Sequence, residues 1–308
     1  MDVEDYPKTV LEFEERFSSE EACRAYVCQL RWPEGFVCPH CGGRKAWKTS
    51  RDLHRCSQCD RQVSLTAGTI FHDTHKPLRV WFRALWYVTN QKHGVSALGL
   101  QRVLGLGSYH TAWTWLHKLR CAMVRPGRDR LSGTVEVDET YVGGVKSGKP
   151  GRMASGKALV LVAAEDKGAK GIGRIRLHRV SDASAKSLIP AVEATIVPAS
   201  TVRTDGWSGY GPLGSAGYRH RVLREGATPG ENPLPLVHRV ASLLKRWLLG
   251  THQGAVRVSH LDYYLDEYTF RFNRRTSRSR GKLFYRLVQQ VVAVAPVTGQ
   301  DIRGGTVL

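Results

Sequence analysis

A chain of 308 residues has room for one large core with one or two small attachments. Its 46 Lys and Arg against 27 Asp and Glu leave a formal charge of +19, an excess that points to polyanions, because neutralised phosphates dominate nucleic-acid affinity. The acidic start MDVEDYPKTVLEFEERFSSEE lacks a basic-then-apolar leader and no apolar run nears the roughly 20 residues of a membrane span, so a cytoplasmic protein with no membrane partner is expected, its cysteines free or metal-bound.

Residues 1–34 read as a helical segment. Four of the cysteines form two CxxC knuckles, Cys38-Pro-His-Cys41 and Cys56-Ser-Gln-Cys59, with fourteen residues between them. Two tight thiolate pairs joined by a hairpin are what a tetrahedral structural Zn2+ site needs, so a zinc ribbon is expected over 35–68. His40 and His54 lie close enough in sequence to substitute as ligands, although four cysteines already close such a site. Cys23, Cys28 and Cys121 have no partner knuckle and read as core or surface thiols. Arg44, Lys45, Lys48, Arg51, Arg55 and Arg61 surround the knuckles with Trp47 among them, which fits either a nucleic-acid grip or a solvated basic face.

A helical region follows over 77–125. Pro77 opens an aromatic-rich helix, Ser96 caps a short one that ends at Gly105, and a third runs from Tyr109 to Met123. The Gly-containing turn and the polar residues His110, Thr111, Thr114, His117, Lys118 and Arg120 on the third resemble a helix-turn-helix, although packing alone also makes helices amphipathic. Residues 125–130, RPGRDR, make a linker.

From Leu131 the pattern turns to strands. In TVEVDETYVGG, Val135 and Val137 point to one side and Glu136 and Asp138 to the other. Two further strands, in KALVLVAAED and GRIRLHRVS, complete an antiparallel meander after the loop VKSGKPGRMASG. Ser184–Ile196 reads as a helix kinked by Pro190. TVRTDGWSGYG then places Asp205 at the end of a short strand, and another short strand follows over Tyr218–Arg224. A helix that returns the chain to the first strand makes the Asp205 strand parallel to it, an α/β, ribonuclease-H-like layout that brings Asp138 and Asp205 together. Read singly, each aspartate is an ordinary turn or edge residue; together they can converge on a divalent ion.

The last third is helical. Leu236–Leu249 puts His238, Ser242 and Lys245 along one line, opposite a broad apolar side. Asp262–Arg275 interleaves aromatics with Arg271, Arg274 and Arg275, and a basic loop precedes a final helix over Leu283–Val294. The catalytic domain is read as 131–295, with 296–308 as a tail.

The blocks CPHC…CSQC, VDETYVGG, TDGWSGY, HRVASLLKRWLLGTHQG and YLDEYTFRFNRR, in this order over nearly the whole chain, resemble the DDE-superfamily insertion-sequence transposases that carry an N-terminal zinc ribbon. The resemblance implies that Asp138 and Asp205 bind catalytic Mg2+ or Mn2+, that His238 stands at the position held by Glu, Asn or His in the family, and that Lys245, seven residues on, meets a phosphate. It implies metal-dependent strand cleavage at terminal inverted repeats and attack of the freed 3′-hydroxyl on target DNA, by a homodimer or larger assembly on the nucleoid. Imidazole is a softer ligand than carboxylate, so Glu231 is a rival for the third position, and Glu139 a weaker one because it points to the other face. A zinc-ribbon regulator without catalysis, or a nuclease without strand transfer, are the alternative functions.

Overall fold

The computed structural model describes residues 4–125, 127–143, 157–224, 232–254 and 256–305. In chain order, helices α1 (Val10–Arg16) and α2 (Glu20–Arg31) precede a small sheet of β1 (Ala46–Lys48), β2 (His54–Cys56) and β3 (Gln62–Val63). Helices α3 (Leu78–Asn90), α4 (Ala97–Leu104) and α5 (Tyr109–Ala122) follow. Then come strands β4 (Thr134–Val142), β5 (Ala158–Asp166) and β6 (Ile172–Val180), helix α6 (Ala185–Thr195), and strands β7 (Thr201–Thr204) and β8 (Arg219–Val222). Four helices close the chain: α7 (Pro235–His252), α8 (Leu261–Asn273), α9 (Arg280–Ala293) and α10 (Gly299–Gly304). No helix among the described residues is long and apolar enough to cross a membrane. Two compact units result, Met1–Pro126 with Ser277–Arg303, and Gly127–Thr276 with Gly304–Leu308.

The first unit is held by an aromatic cluster. Phe13, Phe17, Tyr26, Phe82 and Trp86 gather around Phe284 of α9, with ring centroids 4.7–6.4 Å apart, and buried aromatics of this size dominate core energetics. Phe284 is why the last long helix, read from sequence as the end of the 131–295 segment, packs in the first unit. Ser279 caps α9 by accepting from the Lys282 amide at 3.2 Å, so the helix starts at Arg280, three residues earlier than the basic composition indicated. A Cβ on Gly281 would overlap the Pro7 carbonyl oxygen, so the backbones meet there without a side chain between them.

The second unit is a five-stranded mixed sheet in the order β6-β5-β4-β7-β8. Strands β4, β5 and β6 are antiparallel neighbours, whereas β7 runs parallel to β4 and β8 parallel to β7. Strand β5 is buried from Ala158 to Glu165, as a strand covered on both faces must be. One face, with Val142, Val160, Val162, Ala164, Ile175 and Leu177, packs on Val237, Val240, Leu244 and Leu248 of α7 and on α8. The other, with Val135, Val137, Leu161, Ala163 and Val202, packs on Leu188 and Val192 of α6. Helix α6 runs through Pro190, within the 184–196 segment read as a helix from sequence.

Candidate active site and zinc centre

In the ribbon, β1 and β2 pair Ala46 with Cys56 and Lys48 with His54, which folds one knuckle over the other. The Cys38 and Cys59 Sγ atoms lie 3.6 Å apart, as do those of Cys41 and Cys56, and all four lie within 4.8 Å of one another. A Zn–S distance of about 2.3 Å puts tetrahedral sulfurs about 3.8 Å apart, so the cluster fits zinc. The Gln58 amide donates to Cys56 Sγ at 3.4 Å, the kind of N–H contact that supports a thiolate. The histidines stand apart from this set. His40 Nδ1 meets Arg61 at 3.0 Å, and His54 stacks on Phe36 and meets Trp32 edge-on, with burial pushing its pKa down. Cys23 is a core thiol, and burial pushes it up to about 12.

Much of the basic face is already paired. Arg55 binds Asp60, Lys48 and Arg24 share Asp52, and Arg44 approaches Glu34 at 3.7 Å. Lys45 and Arg51 are exposed, and Trp47 is 50% exposed beneath the Arg55 guanidinium. The polar residues of α5 do not share one open face. His117 and Arg120 are buried, 3.3 Å from each other, because α5 is covered on most sides within its unit. Burial also lowers the pKa of Lys118. The exposed residues are Leu98, Arg102 and Val103 of α4, Gly105, Gly107 and Ser108 of the turn, and Tyr109 and His110 at the start of α5.

The second site is built on β4. The parallel register pairs Glu136 with Arg203; Asp138 stands two residues further along β4, on the face that α7 covers, and Asp205 directly follows the end of β7 at Thr204, near enough for its charge to act on Asp138. Asp138, 19% exposed, accepts from the Glu139 amide at 2.8 Å, and its Oδ2 is 3.0 Å from His238 Nε2. Burial raises the Asp138 pKa and the Asp205 charge adds to the rise, against the Glu139 amide and His238, which lower it. Asp205 Oδ1 accepts from the Trp207 amide at 2.9 Å, and the Trp207 indole donates to the Ala183 carbonyl at 2.7 Å. Gly206 sits at φ +86°, where a Cβ would also strike Val222, which accounts for the glycine after Asp205.

His238, 46% exposed, lies on the first turn of α7. Lys245 is exposed two turns on, about 10 Å along the axis and nearly in line with it. Glu139 turns to the opposite face of β4, where buried Tyr210 donates to its Oε2 at 2.8 Å. Glu231 lies outside the described residues. Among the described residues the four cysteines are the one group of three or more metal-ligating side chains gathered closely enough to hold an ion as they stand; Asp138 and His238 are in direct contact, and Asp205 is near enough for its charge to act on Asp138. Such a set suits a hard divalent ion that keeps several waters beside one or two carboxylates. A cation there also relieves both the burial and the mutual repulsion of the acids.

Sequence reading named no role for Glu136, which holds the N-terminus of α7: the Leu236 and Val237 amides donate to its Oε2 at 2.8 and 3.2 Å. The available signal was its place on the Asp138 side of the strand.

Residues 130–273 match the family model of the ISXO2-like transposase domain, and residues 18–62 that of the transposase zinc-ribbon domain. A protein of Halobacterium salinarum named "Uncharacterized protein in transposable element ISH50" is 27% identical over 288 residues, which span 86% of this chain and 94% of that protein.

Proposed function

The chain belongs to the DDE-superfamily insertion-sequence transposases with an N-terminal zinc ribbon, and from that membership we propose that it cuts DNA at its element's terminal inverted repeats and joins the freed 3′-hydroxyl to target DNA. The observation that carries this reading is the parallel pairing of β4 with β7, the strands that bear Asp138 and lead into Asp205, with His238 reaching Asp138 from the covering helix. The strand order, three antiparallel and two parallel, supports a ribonuclease-H-like core.

In this reading Asp138 and Asp205 hold Mg2+ or Mn2+, and the structural Zn2+ belongs to Cys38, Cys41, Cys56 and Cys59. When bound, the divalent ion supplies Lewis-acid stabilisation of the charge that builds on the phosphoryl oxygens. Asp138, within β4 and fixed by the Glu139 amide, and Asp205, just past the end of β7 and fixed by the Trp207 amide, keep their carboxylates on the rigid sheet. His238 shares a proton with Asp138 Oδ2 and presents its exposed ring to the water or 3′-hydroxyl that attacks the phosphorus. Lys245 offsets the charge of a neighbouring backbone phosphate.

Reading of the repeats is assigned to the ribbon and to the exposed start of α5, Tyr109 and His110, since the first turn of such a helix is what meets base edges. Two ends held together require a homodimer or larger assembly, at work on the nucleoid in the cytoplasm. The test uses DNA carrying the flanks of the chain's own gene, with Mg2+ or Mn2+. Asp205→Asn is expected to bind these flanks with unchanged affinity and to lose cutting by at least a hundredfold; an Asp205→Asn protein that still cuts overturns the assignment.

A further inference from the structure

Helix α7 begins without a cap of its own. Leu234 offers no side-chain acceptor at the cap position, and Pro235, the first helical residue, has no N–H to satisfy. The next two amides, of Leu236 and Val237, donate to Glu136 Oε2 at 2.8 and 3.2 Å, and the His238 amide donates to the Leu234 carbonyl at 3.3 Å. Every donor of the first turn is therefore accounted for, two of them by one carboxylate oxygen that lies 100 residues away in sequence. Glu136 is 3% exposed, and the neighbouring Arg203 is engaged by Asp166 at 2.8 Å. The helix terminus, with its partial positive charge, is the counterpart this carboxylate faces.

The strand and the helix are thus joined by two rungs. Glu136 and Asp138 stand on the same face about 6.7 Å apart along β4. The first holds the backbone of residues 236 and 237, and the second holds the side chain of residue 238. We propose that Glu136 is a positioning residue: by capping α7 from the strand that carries Asp138, it fixes where His238 stands. The proposal rests on the reading of Asp138 and His238 as catalytic.

An internal comparison shows the same device away from that site. Pro77 precedes α3 without capping it, and Glu20 of α2 accepts from the Leu78 and Arg79 amides at 2.8 and 3.0 Å. There the device joins two packed helices and no catalytic residue follows, so Glu20 serves as a control.

The experiment uses the full-length, zinc-loaded protein with no other divalent ion. Amide exchange is followed at Leu236 and Val237, and the His238 ring nitrogens are followed by NMR. Glu136→Ala is expected to speed exchange at both amides at least tenfold and to move the His238 ring signals to those of Asp138→Ala. Glu136→Asp keeps the charge but falls about 1.5 Å short, and it should shift the same signals even where the alanine variant does not fold. Glu136→Gln retains an acceptor oxygen and should restore them, while Glu20→Ala should leave His238 as in the wild type.

With Mn2+ and end DNA, Glu136→Asp should lower kcat roughly tenfold at unchanged KM. Wild-type His238 signals in both Glu136→Ala and Glu136→Asp overturn the proposal. A wild type that does not cut DNA, combined with shifted signals in these variants, overturns the catalytic reading and leaves the positioning intact.

Discussion

Replacing Asp138 by asparagine should abolish activity and yet make the protein more stable. The acid is 19% exposed, and its charged form is opposed first by burial and then by Asp205, with partial relief from the Glu139 amide and His238. Asparagine keeps the oxygen that accepts from the Glu139 amide and turns an N–H toward His238 while it removes the charge. Relief of this kind at a functional site amounts to about 1 kcal/mol, which is about 2–4 °C in the melting of a unit of this size. The pH dependence has a defined sign. Because the folded pKa of Asp138 lies above its unfolded value, the native state binds the proton first as pH falls. The wild-type handicap is therefore full at neutral pH, shrinks as pH falls through the raised value, and is absent below the ordinary carboxylate range. Thermal unfolding of both zinc-loaded proteins at pH 7 and pH 5, without Mg2+ or Mn2+, measures this. A variant equal to or less stable than wild type at pH 7, or a gap that widens on acidification, refutes the reasoning.

Cys41→Ser breaks the tetrahedral sulfur set, so metal analysis should find less than one zinc per chain and weakened end binding, while the far-UV signature of the mixed sheet persists; full zinc occupancy contradicts the assigned site. Leu244→Ala deletes a fully buried side chain between α7 and the sheet and should cost about 2–5 kcal/mol in urea unfolding, whereas a loss below 1 kcal/mol argues against that packing. Lys245→Ala should weaken DNA binding uniformly across sequences and reduce the salt slope of log K by about one, and an unchanged slope removes it from the phosphate contacts.

The sheet was legible because its signals are local. Alternation in TVEVDET separates Val135 and Val137 from Glu136 and Asp138, and the near-continuous apolar run Ala158–Ala164 marks a strand covered on both faces. The knuckle spacing likewise carries its own geometry. Other features depend on partners that sequence does not bring together. Phe284 finds the aromatic cluster of the first unit across more than 190 residues, and Glu136 finds the Leu236 and Val237 amides across a hundred. His117 and Arg120 look like a polar helix face, yet the helices packed around α5 bury both. Counting basic residues around the ribbon also overstates its free charge, because Asp60 pairs with Arg55 and Asp52 is shared by Lys48 and Arg24.

Transposition chemistry is tested most directly by incubating the purified protein with DNA from the flanks of its own gene, a second target DNA, and Mn2+ or Mg2+, with Asp138→Ala in parallel. Nicks at defined ends whose 3′-hydroxyls become joined to the target, with neither product formed by Asp138→Ala, are expected. Tight binding to those flanks with no metal-dependent cutting by the wild type contradicts the transposase mechanism and leaves a DNA-binding protein.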